Sequence, residues 1–132
     1  MGRGRHRENQ QDKLSRISQI RASIAQIETY LHFFENQGTQ APDSSWVARY
    51  QVRQGQKVYW YYKLQANSPI FPQKNAKSLG KYQHLGKAGS QAHVDAVMGV
   101  VRRTIVTELQ KTIDSLKGCL IDIAFDAEQE SK

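Results

Sequence analysis

The chain has 132 residues, with nineteen Lys and Arg against twelve Asp and Glu and a formal net charge of +7 at pH 7. That length allows one domain with a modest core, and the basic balance favours a polyanion such as DNA, RNA or an anionic membrane surface. A single cysteine, Cys119, excludes an intramolecular disulfide and a zinc site of several thiolates. No apolar run approaches bilayer-spanning length, and the thiol content makes a reducing cytoplasm the expected location.

Residues 1–9, MGRGRHREN, read as a disordered basic arm. No apolar segment follows the charges, so it is not a secretory signal, and His6 breaks the myristoylation pattern. Arg3, Arg5 and Arg7 can add phosphate contacts that are independent of sequence; the plainer alternative is a solvated tail.

From Gln10 to Asn36 the pattern is helical. Leu14, Ile17, Ile20, Ile24, Ile27, Leu31 and Phe34 recur three or four apart, a narrow stripe of coiled-coil type. At ~1.5 Å per residue this helix reaches about 40 Å and cannot bury its stripe alone. Gly38 stands where a C-cap is expected. Residues 37–45, QGTQAPDSS, form a linker.

WVARYQVRQGQKVYWYYKL, Trp46 to Leu64, reads as a β-hairpin around Gly55. Side chains alternate along a strand. A three-residue loop, Gln54 to Gln56, sets Val52 opposite Val58, Tyr50 opposite Trp60, Arg49 opposite Tyr61 and Arg53 opposite Lys57. Trp46, Ala48, Tyr50 and Val52 then share a buried face with Val58, Trp60, Tyr62 and Leu64. The exposed face carries Val47, Arg49, Gln51 and Arg53 beside Lys57, Tyr59, Tyr61 and Lys63. Like charges at Arg53 and Lys57 repel, which a bound anion would relieve. Two side chains splaying into water would also relieve it.

Pro69 and Pro72 make residues 66–77 a loop, with Lys74 and Lys77 near the basic face in sequence. LGKYQHLGK, residues 79–87, reads as a short third strand bringing Lys81, His84 and Lys87. The second helix covers 90–118 with Ser90 as N-cap. Its stripe is Val94, Val97, Met98, Val101, Ile105, Leu109, Ile113, Leu116 and Leu120, helped by Ala92 and Ala96. Residues 122–132 form an acidic tail.

The fold class expected is α+β: two long amphipathic helices in an antiparallel stalk, with a small antiparallel sheet of two or three strands between them, residues 10–121 forming a single domain. Ile20, Val100 and Val106 lie beside the main stripes, which predicts pairing of two copies into a four-helix dimer.

No catalytic constellation is present. His6, His32, His84 and His93 fall in separate segments, and Cys119 has no base near it in sequence. The histidines suggest no metal, and GKAGS at 86–90 lacks the context of a phosphate loop. The reading is therefore a protein that is not an enzyme, with no cofactor, no metal and no small-molecule substrate. Its expected partner is nucleic acid, DNA ahead of RNA, held by Arg49, Gln51, Arg53, Lys57, Tyr59, Tyr61, Lys63 and Lys81 with the arm. Tyrosines can stack on bases and arginines can contact phosphate or guanine in a bidentate manner. The competing function is a coiled-coil interaction protein or adaptor that grips an acidic protein surface.

The order WVARYQV, GQKVYWYYKL, SLGKYQHLGK and then a helix resembles the three-stranded, AP2-like arm-binding domain of tyrosine recombinases and phage integrases, over residues 46–103. The resemblance implies a three-stranded sheet in a DNA major groove with a helix packed behind it. It also implies that Arg49, Gln51, Arg53, Lys57, Tyr59, Tyr61 and Lys63 face DNA. The chain departs from an integrase in its long amino-terminal helix and in having no catalytic domain after the sheet. It is also similar to short uncharacterised mobile-element proteins with such a strand segment between two coiled-coil helices.

Overall fold

The computed structural model describes residues 10–75 and 77–131, so the arm with Arg3, Arg5 and Arg7 lies outside the described residues. The chain order is α1 (Gln10–Glu35), β1 (Ser45–Gln54), β2 (Lys57–Ala66), β3 (Phe71–Pro72), β4 (Leu79–Gly80), β5 (Tyr82–Lys87) and α2 (Gln91–Glu130). This is the expected α+β plan of two helices with a small antiparallel sheet between them. The chain divides into two compact units, and α2 contributes to both.

The first unit pairs α1 with the second part of α2. Ile24 and Leu31 of α1 and Ile113 of α2 are buried, Ile113 at 1% exposure. Lys13 reaches Glu130 at 3.1 Å and Lys117 reaches Glu28 at 3.9 Å, which fixes the helices as antiparallel. Exposed pairs of this kind contribute at most about 1 kcal/mol each, so apolar burial holds the pair. The helix α2 runs past Gly118 to Glu130, and Asp122, Asp126, Glu128 and Glu130 are helical.

The second unit, Phe34–Val106, contains a three-stranded antiparallel sheet in the order β1-β2-β5 and a separate two-stranded ladder of β3 and β4. Phe71 in the proline-bearing segment is buried with Leu64, Ala66 and Leu85. Ala96 and Val100 of α2 cover that cluster. Val100 therefore belongs to the sheet core, not to a helical dimer face. The opposite flank of the same helical stretch, with Val94, Val97, Met98 and Val101, is exposed.

Two loop-to-helix anchors hold this unit together. Arg102 Nε donates to Thr39 O at 3.0 Å, and Arg103 donates to Pro42 O at 2.5 Å and to the Ser45 hydroxyl at 2.9 Å. Gly38 has no positive φ and is not a left-handed cap. A Cβ there would lie 2.8 Å from the Arg102 guanidinium, so the glycine makes room for that anchor. Ser90 caps α2 as expected: its hydroxyl accepts from His93 N–H at 3.3 Å and donates to Leu85 O at 2.9 Å.

The hairpin register differs by one residue from the sequence expectation. Gln54 pairs with Lys57, Arg53 with Val58, Val52 with Tyr59, Gln51 with Trp60, Tyr50 with Tyr61 and Arg49 with Tyr62. The loop is two residues, Gly55 and Gln56. Gly55 has φ +66° and Gln56 has no positive φ, the sign pattern of a type II′ turn with glycine first. Such a turn matches the right-handed twist of the strands, so turn chemistry wins over the pairing of apolar rows. Arg53 and Lys57 are not opposite each other, and the repulsion expected there does not arise.

Candidate nucleic-acid interface

A slip of one residue moves every side chain of one strand to the other face. The strand-two row Lys57, Tyr59, Tyr61 and Lys63 remains together, but its companions are Trp46, Ala48, Tyr50 and Val52. Arg49, Gln51 and Arg53 lie on the other face with Val58, Trp60, Tyr62 and Leu64. The single DNA-facing row expected from the sequence, and implied by the resemblance, is thus divided between two faces.

The first face is the open one. The strand β5 extends it, because Tyr82 pairs with Gln65, His84 with Lys63 and Lys87 with Tyr61. A register shift at Tyr62/Lys63 leaves Leu85 unpaired and turns it into the core, which keeps Tyr82, His84 and Lys87 on the open side. Lys63 Nζ lies 4.2 Å above the Tyr82 ring and 5.5 Å from the Tyr50 ring. Lys87 Nζ lies 4.3 Å above Tyr59. Tyr50 packs on Tyr61 with ring centroids 6.0 Å apart, and its hydroxyl is hydrogen-bonded to His84 Nδ1 at 3.1 Å. Each ammonium thus sits over a ring and makes no hydrogen bond or ion pair among the described residues, a geometry that holds a flexible cation in place and loses less entropy on meeting an anion. Lys57 is exposed at the hairpin end, and Lys81 is exposed where β5 begins, its carbonyl accepting from Ala66 N–H at 3.0 Å.

The second face has two parts. Near the β1 start, Ser45, Val47, Tyr62, Leu64 and Ala66 meet the cluster under α2. Tyr62 stacks on His93 at 3.8 Å, and His93 Nδ1 accepts from Gly89 N–H at 3.0 Å. Toward the hairpin tip, none of the described residues covers this face of the strands. Arg49 Cζ lies 4.1 Å over the Trp60 ring, and Trp60 is 38% exposed, with Val58 and Arg53 exposed beside it.

Charge is segregated between the two units. The unit Phe34–Val106 holds ten Lys and Arg against three Asp and Glu, whereas the rest of the sequence holds nine of each. The whole formal +7 therefore falls within the sheet unit. Residues 44–94 contain eight Lys and Arg and no Asp or Glu. Alternation along the hairpin draws attention to one row of side chains, while this acid-free run spans all the strands and reaches Lys87 and the surface around Tyr50, Tyr82 and His84.

Other chemistry does not assemble. Among the described residues no three His, Cys, Asp or Glu come together in a way that could hold a metal ion. Cys119 is an exposed free thiol. No helix among the described residues is long and apolar enough to cross a membrane. Protein-family models, curated proteins and solved structures give no match to this chain.

Proposed function

We propose that this chain is a DNA-binding protein without catalytic activity that works through the open face of its sheet. The observation that carries the reading is the sheet unit, which contains all the net charge, has an acid-free run over residues 44–94 and holds Lys63 and Lys87 over tyrosine rings on that face. Clustered cations and aromatic rings free of carboxylates fit a phosphate backbone, where each neutralised phosphate releases a counterion. Lys57, Tyr59, Tyr61 and Lys63 keep the role expected of them, and Tyr50, Tyr82, His84 and Lys87 join them. The likeness to the arm-binding domain supports the same reading: three strands lie in one sheet with α2 packed behind part of it. A cytoplasmic role in maintaining a mobile element or in transcription fits this function. RNA is the other polyanion that stacking tyrosines would serve.

Binding of labelled duplex and labelled single strand across a salt series tests the proposal. Lys57→Ala and Lys63→Ala are each expected to lower the log–log salt slope by about one unit. A wild-type slope near zero, or no binding of either strand form at ~50 mM salt, rejects the reading.

Pairing of two copies is part of the proposal. The exposed strip Val94, Val97, Met98 and Val101 supports it, as do Ile121 at 68% and Phe125 at 59% exposure. Sedimentation at micromolar concentration should return twice the chain mass. The same strip favours the second reading, an adaptor that docks another protein; a monomer that also ignores nucleic acid points there.

A further inference from the structure

Resting on the proposed function, we infer that the hairpin enters the major groove of duplex DNA as a two-faced ribbon, instead of laying one face of the sheet on the backbone. The register puts a cation fixed over an aromatic ring on each side of the same two strands. Lys87 lies over Tyr59 at 4.3 Å on one face, and Arg49 lies over Trp60 at 4.1 Å on the other. The core helix covers only the part of the second face that starts at Ser45, so among the described residues the tip half is open on both sides. Strands β1 and β2 together contain no Asp or Glu, so neither side repels phosphate. A flat polyanionic surface can neutralise only one of these sides. A groove has two phosphate walls, and the major groove, ~12 Å wide, admits a two-stranded ribbon. Within it, Arg49 and Arg53 face one wall and Lys63 and Lys87 the other. Gly55 and Gln56 at the tip add no side-chain bulk beyond one amide.

The test uses the full chain and a fluorescein-labelled duplex of mixed sequence. Slopes of log affinity against log salt are measured for wild type, Arg53→Gln, Arg49→Gln with Arg53→Gln, and Lys63→Gln with Lys87→Gln. Dimethyl sulfate protection reads guanine N7 in the major groove. Each double variant is expected to lose about two units of slope, and the arginine pair to lose N7 protection. Arg53 is exposed and makes no core contact, so the single variant reports on binding even if the loss of Arg49 from Trp60 loosens the fold; it should lose about one unit. An unchanged slope in both arginine variants, with a loss in the lysine variant, overturns the two-faced ribbon and leaves DNA binding by the open face standing. Binding of single strand but not duplex also overturns the groove. Binding of neither overturns the proposed function as well.

Discussion

At the scale of single residues, Gly55 decides which surface the hairpin offers. Parity of the loop sets which residues share a face, and one residue more in the loop would restore the arrangement in which Arg49 and Lys63 lie together. A Cβ at Gly55 meets nothing within 4 Å, so its requirement is one of backbone conformation alone. With φ at +66°, an L side chain there costs about 1–2 kcal/mol. The variant Gly55→Val is accordingly expected to lower the urea midpoint of the sheet unit, followed by the fluorescence of Trp46 and Trp60. An unchanged midpoint would mean that the turn is not left-handed at this residue. The three-residue loop, with Val52 facing Val58, would then regain its standing. Arg102 and Arg103, adjacent on α2, act at the same scale. Their guanidiniums are occupied by Thr39, Pro42 and Ser45, so they fasten a loop.

At the scale of elements, periodicity made the helices legible and left their partners open. The stripe from Leu14 to Phe34 recurs three or four residues apart along α1, and Ser90 marks the start of α2. The stripe of α2 was not one interface, however. Ile113 lies against α1, whereas Val94 to Val101 stays exposed because Ala96, Gly99 and Val100 form the face that meets the sheet and the 39–41 loop. Small residues carry that face since backbone comes close: Ala41 N–H donates to Gly99 O at 3.1 Å. A reading based on large apolar side chains passes over such a contact. The hairpin was likewise legible as a hairpin, but two aromatic-rich rows of similar character left its register to the turn. The third strand was visible in Tyr82–Lys87, while Phe71 was hidden among prolines. Truncation of Ile113 tests the helical pair. Ile113→Ala should cost about 2–5 kcal/mol. Both tryptophans belong to the sheet unit, so the loss should appear first in the far-ultraviolet helical signal. Equal loss by both probes would mean that α2 couples the units into one cooperative transition.

At the scale of the whole molecule, the decisive quantity is where the charge lies. A net +7 spread evenly would raise affinity for any polyanion without choosing a surface. Here one unit is balanced and the other holds the excess. At ~0.15 M ionic strength the Debye length is about 8 Å, so the exposed charges at the contact surface itself dominate the attraction. Arg21 is exposed on α1, in the unit whose charge is balanced. Arg21→Glu and Lys87→Glu change the total charge by the same amount. If the sheet unit is the contact surface, Lys87→Glu should weaken duplex binding tenfold or more and flatten the salt slope by about one unit. Arg21→Glu should leave both within twofold. Equal losses would assign the attraction to total charge, and the arrangement of lysines over tyrosines would then be a packing feature of the sheet. A larger loss in Arg21→Glu would move the contact to the helical pair, whose balanced charge offers no reason for it.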